Sequence, residues 1–249
     1  MERAGWDSHR KGGKIMKSTI MKNVMEAYDE EVAIAVDGVV LDGDLVVPAK
    51  AEGIVIFAHG SGSSRKSPRN RQVAETIRDK GMGTLLFDLL TPEEERLDES
   101  TGALRFDIHM LATRLEGVTH WLVSQPEWKK MNIGLFGAST GAAAALVAAA
   151  HLGDRVSAVV SRGGRPDLAS GLLEQVRCPT LLIVGSLDEL VLRLNEDARA
   201  QMVCETELRI VPGATHLFSE PGKLEQVANL SARWFEKHLS DGIKERGGS

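Results

Sequence analysis

Six short stretches of this chain are apolar almost from end to end: Ile54 to Phe57, Thr84 to Phe87, Ile133 to Phe136, Val156 to Val160, Leu181 to Val184 and Leu208 to Val211. A strand with one wet face alternates apolar and polar residues, whereas a strand covered on both faces has no polar side to show. The runs therefore predict a mostly parallel sheet with a layer of helices on each face. Helical periods lie between them. Ile108, Leu111, Leu115, Val118 and Leu122 form one apolar stripe that stops near Gln125-Pro126. Gly141 to Leu152 is alanine-rich and narrow enough to lie close against a sheet, and Leu224 to Leu239 reads as a closing helix. Ahead of the first run, Val32 to Val36 and Val39 to Val47 alternate around Asp37-Gly38, the signature of an antiparallel hairpin. Two opening strands and six strand-helix units give a three-layer α/β fold on an eight-stranded, mostly parallel sheet.

These elements use nearly all of residues 29–249, so a single domain is expected, preceded by a basic tail over residues 1–28. Through Lys22 the tail holds six Lys/Arg against two acids, a net of +4, which leaves about -9 on the rest of a chain whose total is -5. Met16 and Met21 stand as alternative starts, and the tail lacks the apolar core of a secretory signal. No apolar run reaches the roughly 18 residues of a membrane span; the longest, Ala142 to Ala150, is half that. With 43% hydrophobic and 26% charged residues, disorder is excluded for most of the chain. The acidic balance and a pI near 5.8 disfavour a nucleic-acid partner. Cys178 and Cys204 have no metal-ligand spacing and read as small buried hydrophobes in a reducing cytoplasm.

The chemistry concentrates at Gly137-Ala138-Ser139-Thr140-Gly141. A G-x-S-x-G match alone is weak, but this one falls between the strand ending at Phe136 and the helix starting at Thr140, where a sharp turn lifts the serine out of the sheet edge. Glycines on either side relieve the crowding as the chain reverses, and the helix N-terminus favours negative charge developing beside Ser139. A serine hydroxyl needs a base that is itself oriented by a carboxylate. His216 follows the last strand, and Asp188 follows the strand before it, so all three lie at carboxyl ends of strands, where open α/β sheets bind ligands. His59-Gly60-Ser61-Gly62 ends the first covered strand. Its turn can aim a backbone N–H, from Ser61 or Gly62, at the point addressed by the N–H of Thr140, giving two oxyanion donors. The His59 side chain reads as structural.

With these motifs the chain resembles the α/β-hydrolase superfamily, and within it the dienelactone hydrolase-like group: small, without a lid, and opening with a hairpin. The resemblance covers roughly residues 30–240 and implies nucleophile, acid and base in the order Ser139, Asp188, His216. It implies hydrolysis of an ester or lactone through an acyl-enzyme, with no metal or organic cofactor. Dienelactone hydrolases use a cysteine nucleophile where this chain has Ser139, so the dienelactone itself does not carry over.

Alternatives stand beside each assignment. Ser139 could be a small residue tolerated in a tight turn, Asp188 a helix cap for the segment from Val191, and His216 a surface histidine; Asp88 is a rival acid. A thioesterase, a short-peptide hydrolase or a non-catalytic small-ligand-binding protein would share the pattern. The segment Ser64-Arg65-Lys66-Ser67-Pro68-Arg69-Asn70-Arg71, with Arg162 and Arg165 at the same sheet edge, suggests an anionic acyl substrate, with Gly62, Arg65, Arg162 and Arg165 as candidate contacts. The acidic run Glu93-Glu94-Glu95 with Asp98-Glu99 reads as a solvated loop. Residues 162–179 leave no room for a large lid, so the site should be open and shaped by short loops. A monomer and a homodimer are both compatible with the pattern.

Overall fold

A computed structural model of the chain describes residues 27–169 and 171–240. The predicted tail, with Met16 and Met21, lies outside the described residues except at its end. There Tyr28 already pairs with Val47 and packs edge-on against Trp128, ring centroids 5.5 Å apart, so the first strand starts inside the predicted tail.

The opening hairpin is β1 (Tyr28–Val36) and β2 (Val39–Val47). Its two turn residues, Asp37 and Gly38, have φ of 48° and 75°, which is the twist that a two-residue hairpin requires. The remaining strands are β3 (Gly53–Ala58), β4 (Gly83–Phe87), β5 (Asn132–Ala138), β6 (Val156–Arg162), β7 (Thr180–Gly185) and β8 (Thr206–Val211). They form one eight-stranded sheet in the order β1-β2-β4-β3-β5-β6-β7-β8. β1, β2 and β4 are joined antiparallel; every other neighbouring pair is parallel. From β3 the chain crosses to β4 on one side and then returns to β5 on the other. That reversal opens a crevice above the carboxyl ends of β3 and β5.

Alternate residues of the covered strands feed two cores. Ile54, Ile56, Ile133, Leu135 and Val159 meet α3 (Ile108–Ser124) and α4 (Thr140–Leu152). Val55, Phe57, Phe136, Val160 and Ile183 meet α1 (Pro68–Arg78) and α6 (Lys223–Ser240). The alanine-rich α4 is buried from Thr140 to Ala149, because only methyl-sized side chains let it lie this close to the sheet. On the other face the ring of Phe235 lies directly over the backbone of Gly134; a Cβ there would be 2.6 Å from Phe235 Cε1.

Two charged segments carry helices. In the arginine-rich stretch Ser67 caps α1, with its hydroxyl accepting from the Asn70 N–H, and Pro68 fills the first turn. Charged residues on its outer face hide the buried stripe of Val73, Ala74 and Ile77. The acidic run is likewise a helix, α2 (Pro92–Thr101). Thr91 and Glu94 form a reciprocal capping box, and three acids in the first turn suit the helix dipole. The remaining helix, α5 (Glu189–Gln201), packs against β7 and β8. The described residues of 162–179 include two short 3-10 turns, Pro166–Ala169 and Leu173–Gln175. No helix among the described residues is long and apolar enough to cross a membrane.

Replacing Phe235 by Ala empties a fully buried ring site on β5 and should cost about 3–5 kcal/mol. Urea unfolding of Phe235→Ala is expected to show that loss with little change in m-value.

Candidate active site

The turn from β5 to α4 is fixed by close backbone approach. Ser139 sits at φ 51° and ψ -119°, a conformation that side chains other than glycine rarely adopt. A Cβ on Gly137 would lie 2.3 Å from Ala142 Cα, and one on Gly141 would lie 2.3 Å from the Ala58 carbonyl oxygen at the end of β3. Only glycine at both positions lets α4 turn back so tightly. The Ser139 N–H donates to the Arg162 carbonyl (3.1 Å), and the Ser139 carbonyl accepts from the Arg165 N–H (3.2 Å), so β6 and its loop hold the strained residue in place.

Asp188 and His216 meet from the ends of β7 and β8. His216 Nδ1 and Asp188 Oδ2 are 2.6 Å apart, which leaves Nε2 as the ring's free nitrogen. Asp188 occupies the N-cap position of α5, yet its side chain makes no capping bond; the carboxylate goes to the imidazole instead. The two loops are tied together: the Leu187 N–H donates to the Ala214 carbonyl (3.0 Å), and the Gly213 N–H donates to Ser186 Oγ (2.8 Å). Glu220 accepts from both the N–H and the hydroxyl of Thr215, bracing the turn that carries His216. The sequence reading missed this brace, whose only signal was an acid four residues past the histidine. His216 also lies against Gly163, where a Cβ would be 3.4 Å from Nδ1, and so stands next to the β6 loop that holds Ser139. Among the described residues, Ser139 Oγ makes no hydrogen bond to His216; such contacts commonly tighten only when substrate is bound.

The loop after β3 comes equally close. A Cβ on Gly60 would be 3.2 Å from Ser139 Cβ. The Ser61 N–H donates to Thr140 Oγ1 (3.1 Å), and the two hydroxyls are 2.9 Å apart. The loop after β3 is thus tied to the start of α4, with the N–H of Ser61 engaged by the Thr140 hydroxyl. His59 is structural: its Nε2 accepts from the Leu89 N–H (3.0 Å) and its Nδ1 contacts the Gly60 carbonyl (3.0 Å). Asp88 likewise serves the loop, accepting from the Arg65 N–H at 2.7 Å.

A cavity of about 490 Å³ opens beside the β5–α4 turn, lined by Gly60, Ser61, Gly62 and Thr140 on one side and by Glu95, Asp98 and Glu99 of α2 on the other. A wall thus exists, but it comes from the β4–α3 connection and not from residues 162–179. Arg114 fastens it to the core by pairing with Glu94 (2.6 Å) and donating to the Leu89 carbonyl (2.7 Å). That hydrogen bond from Arg114 is the main reason the Glu94 carboxyl is held below its ordinary range. Asp98 pairs with Arg105, whose carbonyl accepts from Ser61 Oγ at 3.2 Å.

Two of the candidate cations are paired with carboxylates. The Arg65 guanidinium is buried among Asp44 (3.1 Å), Asp88 (2.7 Å), Asp42 (3.7 Å) and Glu31 (3.9 Å). It pins the hairpin to the loop after β3. Arg165 forms a bidentate pair with Asp167. Arg162 is buried without a carboxylate, and Gly62 lines the cavity. Burial pushes the Cys178 thiol up to about 12, so it carries no thiolate chemistry. Among the described residues no group of three or more His, Cys, Asp or Glu could hold a metal ion.

Burial pulls His59 below its ordinary value of 6.5, against the opposing pull of the Gly60 carbonyl and Asp88. A group whose folded pKa is depressed in this way binds its proton more readily when unfolded. Its neutral form supports the fold above pH 6.5, and that support is lost as the pH falls below it. Unfolding free energy measured between about pH 7.5 and pH 5.5 should therefore fall, and His59→Gln should flatten that slope.

Known proteins place this arrangement. A model of the dienelactone hydrolase family matches residues 41–240. A dienelactone hydrolase from Anabaena variabilis is 54% identical and superposes with a TM-score of 0.84, covering 86% of this chain and all of that one. An esterase from Pyrococcus furiosus shares the fold at 19% identity and a TM-score of 0.69, over 86% of this chain and 93% of its own. Proteins of two Mycobacterium tuberculosis strains, each named "Putative phosphoribosyl transferase", are 58% identical over 211 residues, which is 85% of this chain and 47% of theirs. This chain thus spans about half the length of those curated relatives. It has the α/β-hydrolase fold and belongs to the dienelactone hydrolase family.

Proposed function

We propose that the protein is a serine hydrolase that cleaves a small ester or lactone through an acyl-enzyme. The observation that carries this reading is the Asp188–His216 pair at 2.6 Å, made by a carboxylate that had a helix to cap and does not cap it. The pair lies next to the loop that holds the strained Ser139.

Asp188 keeps Nδ1 of His216 protonated, so Nε2 is the basic nitrogen. As Ser139 Oγ bonds to the acyl carbon, its proton passes to Nε2, and the carbonyl oxygen gains the charge. The N–H of Thr140, unpaired within the helix like any N-terminal one, donates to that oxyanion. The N–H of Ser61 joins it by exchanging the Thr140 hydroxyl for the stronger, charged acceptor. The tetrahedral adduct then collapses: the bond to the leaving oxygen breaks, and His216 returns its proton to the departing alcohol. Water attacks the Ser139 ester, giving its proton to the same nitrogen, and the acid is released with Ser139 restored. In a lactone the alcohol and the acid stay on one molecule.

The name of the mycobacterial relatives suggests a different reaction. This chain spans about half of those proteins, and the groups assembled in it are those of acyl transfer to water.

Ser139→Ala is expected to lower kcat/KM for 4-nitrophenyl acetate by more than about 10³-fold with an unchanged melting temperature. Asp188→Asn should lower it by about 10²–10⁴-fold near neutral pH, by losing the tautomer that leaves Nε2 free. Wild-type turnover by Ser139→Ala would remove the serine from the mechanism.

A further inference from the structure

The two edges of the sheet are built differently. At one end β1 carries Asp29, Glu30 and Glu31 in a row, charges of one sign that oppose pairing with a further strand. At the other end β8 holds one acid and one base, Glu207 and Arg209, which form an ion pair on the same face of the strand. Its charges balance, and it runs without a proline or a register shift against β7. Ile210 is exposed within it, and Val203 just ahead of it. The usual devices that blunt a sheet edge are missing here.

The backbone bonds to β7 fix which groups of β8 face outward. The N–H and C=O of one residue leave a strand on the same side, and those of the next residue on the other. The carbonyls of Glu205 and Val211 accept from the N–H groups of Thr180 and Ser186, at 2.8 and 3.0 Å, on the β7 side. Glu207 and Arg209 therefore turn their backbone groups the same way, while Thr206, Leu208 and Ile210 turn theirs to the open edge. Among the described residues no strand lies beside them there.

A second copy of β8 running antiparallel can bond to these groups, and the charges choose its register. Centred on Leu208, the pairing sets Leu208 opposite Leu208 and Thr206 opposite Ile210. Glu207 of each copy then faces Arg209 of the other, twice by two-fold symmetry. Centred instead on Glu207 or on Arg209, it sets two acids or two bases directly opposite. Opposite charges across a strand pair stabilise it and like charges destabilise it. The effect is largest here because these residues occupy non-hydrogen-bonded positions of the new pair, where side chains come closest. The other face gains an apolar row from Leu208 and Ile210 of both copies.

We propose that two copies of this chain pair through β8, antiparallel and centred on Leu208, and join two sheets of eight strands into one of sixteen. β6 and β7 separate β8 from β5, so the interface stands apart from the crevice above β3 and β5.

Analytical ultracentrifugation of the full chain over a concentration series tests this. The wild type is expected to sediment as a dimer, at twice the chain mass of 27.0 kDa. Glu207→Arg and Arg209→Glu should each weaken the dimer by about tenfold or more, since either one sets two like-charged pairs across the two-fold. Combining the two reversals restores opposite charges and should recover the dimer. Leu208→Pro removes an outward N–H without touching the bonds to β7 and should give a monomer. Thermal melting checks that each variant folds; should Leu208→Pro unfold, the charge reversals carry the test. A wild type that stays monomeric at every concentration overturns the proposal. So does a dimer that both single reversals leave unchanged, or one that the combined reversal fails to recover.

Discussion

The whole arrangement depends on how closely backbones approach where β5 turns into α4. Gly141 brings the first turn of α4 against the carbonyls of Ala58 and His59, and Gly137 brings the end of β5 against Ala142. With no Cβ at either position, Ser139 is forced into a left-handed conformation and projects above the sheet. The same contact draws the β3 loop onto Ser139 and Thr140 through Gly60 and Ser61. A strained residue of this kind costs on the order of 1–3 kcal/mol, and the two packed cores on either face of the sheet hold it there.

Topology does the rest of the assembly. Because the strand order reverses between β3 and β5, the loops after these two strands face each other, and the crevice between them needs no separate domain. β6, β7 and β8 continue outward in order, so their loops bring Arg162, Asp188 and His216 to the same edge. Asp188 and His216 come from neighbouring parallel strands whose loops are bonded to each other, which is why a hydrogen bond across 28 residues can be as short as 2.6 Å.

Five of the six apolar runs were legible as covered strands, short and spaced by helix-length gaps; the sixth, Leu208 to Val211, lies in β8 at the edge of the sheet, where one face stays open and Ile210 is 45% exposed. The hairpin was legible because Asp37-Gly38 permits one kind of turn. Ser139, Asp188 and His216 were picked out by their positions relative to strand ends, and the structure brings Asp188 and His216 together. What was not legible depended on pairing across distance. The helices α1 and α2 hide behind charged residues, since α1 has a thin apolar stripe, α2 buries only Asp98, and their signals are the caps Ser67-Pro68 and Thr91-Pro92. Similarly, one arginine-rich segment and its neighbours contain cations with opposite fates. Arg65 is enclosed by four carboxylates while Arg69 meets none, and only the fold decides which is which.

The central claim is that Ser139 is a nucleophile primed by His216 and Asp188. The direct measurement is intact-protein mass spectrometry after treatment with a fluorophosphonate, followed by peptide mapping. The expected result is one phosphonyl adduct on the peptide containing Ser139 and none in a His216→Ala variant. A wild-type protein that stays unmodified, or one labelled at another residue, would contradict it.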